Sequence, residues 1–164
     1  MRPQPAILGI AGQSDSGKTT LIEKLLPLLR AQGLTISTVK HVHHAVEIDT
    51  PGKDSFRHRQ AGAHEVMIAL PDGWVLHHPA RDGARPPLGD LLARMSGCDL
   101  VLVEGYRDVP VPRIAFVNGV EKPDVNVVAV VGVTKPAGFA VPAFSRDDAP
   151  GVTAFITDWM RTAR

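Results

Sequence analysis

The spacing of hydrophobic residues changes near the start of the chain, from a continuous run to a helical pattern. Residues 6–11, Ala-Ile-Leu-Gly-Ile-Ala, form a continuous apolar run that leads into a glycine-rich turn. Such a run is typical of a strand that is buried on both faces of a parallel sheet. From Lys18 the apolar residues follow helical spacing, and Gly33 lies just beyond the predicted helix end. These apolar residues are Leu21, Ile22, Leu25, Leu28 and Leu29. The pattern predicts a strand, a glycine-rich loop and a helix in succession.

The remaining apolar segments predict a repeating α/β arrangement. Further strands are expected at 35–39, 100–104, 114–117 and 126–131. Helices are expected at 55–61, with Asp54 or Ser55 as the cap, at 88–95 and from Pro150 onward. A Pro71-Asp72-Gly73 turn between apolar segments 65–69 and 74–78 predicts a β-hairpin. We therefore expect an α/β fold of the P-loop NTPase type, a mainly parallel sheet flanked by helices, with a β-hairpin insertion.

Length and charge narrow the classes of protein that the chain can represent. A chain of 164 residues is expected to form a single nucleotide-binding domain, residues 1–164. Its formal net charge of +1 provides no strong field for nucleic acid or for an anionic membrane, so we expect neither as a partner. One cysteine, Cys98, excludes an intrachain disulfide, and no apolar run is long enough to cross a bilayer. The expected location is the cytoplasm.

The glycine-rich turn carries the clearest chemical motif of the chain. Residues 12–19, Gly-Gln-Ser-Asp-Ser-Gly-Lys-Thr, match the Walker A pattern and lie between a predicted strand and a predicted helix. Glycines let the backbone curl so that its N–H groups point at phosphate oxygens. Lys18 would contact the β- and γ-phosphates, and the Thr19 hydroxyl would bind Mg²⁺. The predicted nucleotide-binding residues are Gly12, Gln13, Ser14, Asp15, Ser16, Gly17, Lys18, Thr19 and Thr20.

A carboxylate near the metal is expected from the apolar strand at 100–103. Asp99 precedes this strand and Glu104 follows it, so the two acids lie roughly 17 Å apart at strand rise. Phosphate loops lie at the carboxyl ends of parallel strands, which selects Glu104 as the metal-binding and catalytic candidate. Asp99 is expected to cap the strand instead.

The polar segment after the second predicted strand adds further candidates. Asp49 could approach Mg²⁺ or orient the attacking water, and a plain loop-forming role is the alternative. Several basic or imidazole side chains in the same region could contact an anion or a cofactor. They are Lys40, His41, His43, His44, Lys53 and Arg57. Metal binding by the histidines and a solvated basic face stay open as alternatives.

Recognition of the base is not determined by these residues. Many GTPases bind guanine through Asn/Thr-Lys-x-Asp, whereas residues 134–137 here are Thr-Lys-Pro-Ala and lack the final aspartate. The acid that would accept hydrogen bonds from guanine is therefore absent from this motif. The residues alone leave a choice between GTP and ATP.

Four sequence blocks together resemble one family of P-loop proteins. They are the phosphate loop at 12–20, Thr-Val-Lys-His-Val-His-His at 38–44, the segment at 49–63 that begins Asp-Thr-Pro-Gly-Lys-Asp-Ser, and Leu-Val-Glu-Gly-Tyr at 102–106. In these blocks the chain resembles the molybdopterin-guanine dinucleotide biosynthesis adaptor proteins, the MobB family. The second and third blocks are more specific than the phosphate loop.

The resemblance implies a function that the phosphate loop alone does not. It implies a GTP- and Mg²⁺-binding adaptor that assists a MobA-type guanylyltransferase, which converts molybdopterin to molybdopterin guanine dinucleotide. It also implies slow GTP hydrolysis, so that the chain is at most a weak GTPase. It further implies that the protein forms a homodimer and that molybdopterin is a candidate ligand. A P-loop GTPase metallochaperone and a small-molecule kinase are the alternatives. The predicted hairpin could extend the sheet or pair with a second chain.

Overall fold

The computed structural model describes residues 4–42, 49–79, 84–95, 97–118 and 126–162. The chain divides into two compact units, one formed by residues 1–41 and 94–164 and the other by residues 42–93. We call them the sheet unit and the hairpin unit. None of the described helices is long and apolar enough to cross a membrane. The expectation of a single domain stays a prediction.

The sheet unit is built on strands that all run parallel. Its strands are β1 (Ala6–Ala11), β2 (Ile36–Lys40), β5 (Leu100–Glu104), β6 (Arg113–Phe116), β7 (Val127–Gly132) and β8 (Ala143–Ser145). Their order across the sheet is β2-β5-β1-β6-β7-β8. β1 pairs with β5 on one side and with β6 on the other. The phosphate loop therefore leaves the middle of the sheet, between the carboxyl ends of β5 and β6.

Two helices and the central strands form the core of the sheet unit. Helix α1 (Lys18–Ala31) packs against helix α4 (Ala149–Thr162). The fully buried residues that these helices and strands contribute include Leu8, Ile10, Leu21, Leu25, Leu29, Leu102, Ile114 and Ile156. The buried residues of α1 lie at helical spacing, so one face of that helix covers the sheet while its other face is exposed.

The hairpin unit contains the remaining helices and an antiparallel strand pair. Helix α2 (Asp54–Gln60) precedes strands β3 (Val66–Leu70) and β4 (Gly73–His77), and α3 (Leu88–Arg94) closes the segment. In the hairpin Val66 pairs with His77 and Leu70 with Gly73. Val66 is buried, whereas Met67, Leu70 and Trp74 are exposed. The register places exposed Met67 and Trp74 on one face of the hairpin, and places Val66 and Leu70 on the other, which is covered at Val66 and exposed at Leu70 beside the turn.

The predicted elements are confirmed, with small shifts of their ends and two differences. Strand β8 was not predicted, because it has three residues and follows a segment rich in glycine and proline. The predicted cap of α2 is wrong: the capping position is Lys53, and no side chain bonds the free N–H groups there. Asp54 is instead the first helical residue, and the Ser55 hydroxyl donates to Asp49 Oδ1 at 2.8 Å.

Candidate functional site

The phosphate loop connects β1 to α1 with the backbone that its sequence predicts. Gly17 has a φ of 98°, a left-handed conformation that suits glycine, and the helix begins at the next residue. Lys18 Nζ donates to the Gln13 carbonyl and lies 3.4 Å from Ser16 Oγ. The ammonium group therefore lies against the loop that precedes it. Thr19 and Thr20 are exposed at the start of the helix.

Gly12 is required because the loop lies directly on β6. A Cβ atom at Gly12 would lie 2.7 Å from Phe116 Cβ and 2.8 Å from Ser16 Oγ, closer than side-chain atoms normally approach. A Cβ at Gly17 would lie 3.7 Å from the Phe116 ring. Phe116 thus lies against both glycines. Contact with Phe116 excludes a side chain at Gly12, and the left-handed backbone favours glycine at Gly17.

Glu104 reaches the start of α1 from the end of β5. Its Oε2 atom accepts a hydrogen bond from Thr19 Oγ1 at 3.3 Å and lies 3.5 Å from Lys40 Nζ. Lys40 Nζ also lies 3.4 Å from Thr19 Oγ1. At the opposite end of the same strand, Asp99 Oδ2 accepts from the Thr35 backbone N–H at 2.8 Å, as expected of a capping residue. The structure therefore brings Glu104, and not Asp99, to the phosphate loop.

The segment after Glu104 adopts a backbone that few other residues could follow. Gly105 has a φ of 100°, and a Cβ there would lie 2.7 Å from His41 Cβ. Tyr106 is buried with a φ of 50°, and its ring lies 5.2 Å from the His41 ring, centroid to centroid. The His41 backbone N–H donates to the Glu104 carbonyl at 2.9 Å. This contact joins the ends of β2 and β5, where Lys40 and Glu104 lie.

Arg113 is a buried residue of this region that sequence reasoning missed. The residue is 4% exposed at the start of β6. Its guanidinium donates to three backbone carbonyls, those of Arg107, Val109 and Val111. These bonds hold the loop that follows Glu104 and Tyr106. No pattern in the sequence separates such a buried arginine from an exposed one.

Other predicted residues lie in the hairpin unit, with partners of their own. Asp49 accepts from Ser55 and lies 3.4 Å from Arg59 Nε, and its side chain is 11% exposed. Arg57 lies 3.7 Å from Asp54 in an exposed i,i+3 pair, and Lys53 is exposed at the start of α2. His43 and His44 lie outside the described residues. The roles assigned to all of these residues stay predictions.

The segment after β7 has a fixed backbone near the Thr-Lys-Pro-Ala motif. The Arg146 N–H donates to the Gly132 carbonyl at 2.7 Å, and Ser145 Oγ donates to the Val133 carbonyl at 3.2 Å. A Cβ at Gly132 would lie 2.7 Å from the Thr134 carbonyl oxygen. The chain therefore turns tightly at Gly132, and β8 holds that turn in place.

Chemically, the sheet-unit residues combine an anion-binding loop with oxygen ligands. Backbone N–H groups at the start of a helix favour phosphate, and Lys18 adds a positive charge. Thr19 Oγ1 and Glu104 Oε2 are the hydroxyl and carboxylate oxygens that Mg²⁺ prefers, and they lie 3.3 Å apart. The two groups could hold one magnesium ion, with water and phosphate oxygens as its other ligands.

Comparisons with known proteins show the family to which this chain is similar. The family model described as "Molybdopterin guanine dinucleotide synthesis protein B" matches residues 7–133. The molybdopterin-guanine dinucleotide biosynthesis adapter protein of Escherichia coli (strain K12) is 35% identical, over 94% of this chain and 93% of the relative. Its counterpart from Haemophilus influenzae is also 35% identical, over 98% and 92%. A crystal structure of molybdopterin-guanine biosynthesis protein B covers 94% of this chain and 99% of its own, with a TM-score of 0.74 and 32% identity. The chain therefore belongs to the MobB family of P-loop α/β proteins.

Proposed function

We propose that this protein is a GTP-binding adaptor of molybdopterin guanine dinucleotide biosynthesis. The observation that carries the proposal is the meeting of Glu104 with Thr19 beside a complete phosphate loop, in a chain of the MobB family. Relatives that match over nearly their whole length are named adapters of this biosynthesis. The kinase and metallochaperone alternatives gain no support from these relatives.

Each part of the site has a distinct role in this proposal. Residues 12–20 hold the triphosphate, with Lys18 neutralising the β- and γ-phosphates. Thr19 and Glu104 hold Mg²⁺, either directly or through a bound water. Lys40 lies next to both groups and can contact a phosphate oxygen once Mg²⁺ neutralises Glu104. These residues are suited to binding and positioning GTP rather than to hydrolysing it rapidly.

Slow hydrolysis fits the residues that surround the loop. Fast phosphoryl transfer needs a group that orients the attacking water and a cation that stabilises the transition state. The Glu104 carboxylate accepts a hydrogen bond from Thr19 and lies beside the Lys40 ammonium. A carboxylate with these neighbours suits metal binding better than it suits proton abstraction from the attacking water. Asp49 is bound by Ser55 and Arg59 within its own unit, and its catalytic role remains part of the proposal. The protein is then at most a weak GTPase.

Partners are proposed on the same basis. The adaptor is expected to act on a MobA-type guanylyltransferase and to form a homodimer. Met67 and Trp74, exposed on one face of the hairpin, supply apolar surface of the kind that pairs with another chain. Lys53 and Arg57 are candidates for contact with the phosphate of molybdopterin. A mass measurement in solution tests the dimer.

The adaptor role can be tested with a purified MobA-type guanylyltransferase. Formation of molybdopterin guanine dinucleotide is measured with limiting GTP, with and without this protein, and ATP is added as a competitor. We expect the protein to raise product formation while its own phosphate release stays slow, and ATP to compete poorly. No effect on the transferase, tighter binding of ATP than of GTP, or fast hydrolysis without a partner would each contradict the proposal.

A further inference from the structure

Two histidines and a glutamate meet at the open end of the β-hairpin. His64 and Glu65 directly precede β3, and His78 directly follows β4. The hairpin register pairs Val66 with His77, so the next residues outward on the two strands face each other. Antiparallel pairing thus places Glu65 opposite His78 although 13 positions separate them, and His64 lies next to Glu65 in the chain with its ring 5.7 Å from the His78 ring, centroid to centroid. We call His64, Glu65 and His78 the hairpin-end cluster.

The side chains of the cluster converge on a common point. One ligand atom from each residue lies within 4.8 Å of the other two. His78 Nδ1 contacts Glu65 Oε1, and the His64 and His78 rings lie edge to face with centroids 5.7 Å apart. Ligands of one tetrahedral metal with bonds of about 2.0–2.1 Å lie roughly 3.4 Å apart. Small side-chain rotations would therefore bring the three ligand atoms onto one ion.

The chemistry of the cluster selects a class of metal. Two imidazole nitrogens and one carboxylate oxygen suit borderline divalent ions such as Zn²⁺ and Ni²⁺, whereas Mg²⁺ prefers oxygen ligands alone. His64 and Glu65 are exposed and His78 is half-buried, so an ion can enter directly from solvent. Three protein ligands leave at least one coordination position for water or another group.

From this geometry we propose that the hairpin-end cluster binds one divalent transition-metal ion per chain. Its residues lie in the hairpin unit, whereas the proposed magnesium ligands Thr19 and Glu104 belong to the sheet unit. A bound ion would cross-link the two strands at the end opposite the Asp72 turn. It would therefore stabilise the hairpin, the element that carries exposed Met67 and Trp74 on one face.

The proposal is tested by calorimetry on the tag-free, nucleotide-free full chain. Zn²⁺ and Ni²⁺ are titrated into the native protein and into His64→Gln and Glu65→Gln, both of which alter exposed side chains. His58→Gln is the matched control, because it removes an exposed histidine of α2 outside the cluster. We expect one ion per chain, and affinity at least about tenfold weaker in both cluster variants, since even second-shell changes cost 10- to 100-fold. The His58 variant should bind as the native protein does.

A spectroscopic measurement separates this site from other histidines of the chain. Co²⁺ bound to His64, Glu65 and His78 should give visible absorption bands that disappear in His64→Gln and persist in His58→Gln. Absence of stoichiometric binding to the native chain would mean that the cluster is only a histidine–glutamate contact, which overturns the proposal. Metal affinity equal to that of the native protein in both cluster variants would mean that the ion binds elsewhere, which would also overturn the proposal. Neither result bears on GTP binding, which is measured separately.

Discussion

Replacement of Glu104 by glutamine isolates the role of its charge at the phosphate loop. Glutamine has nearly the same shape and keeps an oxygen that can accept from Thr19 Oγ1, which lies 3.3 Å from the carboxylate. The substitution removes the negative charge that faces Lys40 Nζ at 3.5 Å. The fold is therefore kept while the proposed magnesium ligand is weakened.

The magnitudes of the two effects of this change differ. Glu104 is 14% exposed but Lys40 is 53% exposed, so their ion pair is worth only about 0.2–1 kcal/mol of folding free energy. Loss of a carboxylate that holds the metal, even through a water, lowers metal affinity by about 10- to 100-fold, or roughly 1.4–2.8 kcal/mol. Magnesium-dependent binding should fall by more than stability does.

Calorimetric titration of GTP at several Mg²⁺ concentrations measures this difference. In the native protein, added Mg²⁺ should tighten GTP binding. In Glu104→Gln that gain should shrink by about 10- to 100-fold while metal-free binding changes little. Glu23→Gln, which removes an exposed acid of α1, is the control and should behave as the native protein does. An unchanged magnesium dependence in Glu104→Gln would refute the assignment of Glu104.

Two further substitutions test how the neighbouring loop is held. Gly105→Ala should lower the free energy of unfolding by more than Gly33→Ala, because both have positive φ but only Gly105 would also place a Cβ 2.7 Å from His41 Cβ. Left-handed alanine alone costs about 1–2 kcal/mol, and equal losses in urea unfolding would rule out the His41 contact as a constraint. Arg113→Met leaves three carbonyls without their donor and should cost about 1–3 kcal/mol or more. Retained stability in that variant would show that the buried guanidinium does not hold the loop.

Local patterns predicted most of the fold. The apolar run of β1, the glycines and the helical spacing of α1 are each encoded within a few residues, as is the turn of the hairpin. Strand β8 escaped prediction because its three residues are defined by parallel pairing with β7, a partner that local sequence does not reveal. The cap of α2 was wrong because Ser55 bonds Asp49 instead of the helix end.

Prediction of the site depended on how far each residue lies from its partners in the sequence. Glu104 was identified because the ends of parallel strands share one edge of the sheet, a rule that needs no strand order. The contact of Lys40 with Glu104 requires that β2 and β5 be neighbours, which only the structure supplies. The hairpin-end cluster could have been found from the predicted hairpin, since its register places Glu65 opposite His78.

GTP titration of Lys18→Ala tests the central claim most directly. Lys18 lies against the phosphate loop, and its ammonium is proposed to make two charge-assisted contacts to phosphate, each worth about 1.5–3 kcal/mol. We therefore expect GTP affinity to fall by roughly 100-fold or more, with the circular dichroism spectrum unchanged. Lys24→Ala, on the same helix but paired with Asp147, should bind GTP normally. Native GTP affinity in Lys18→Ala would contradict the nucleotide site on which the proposed function depends.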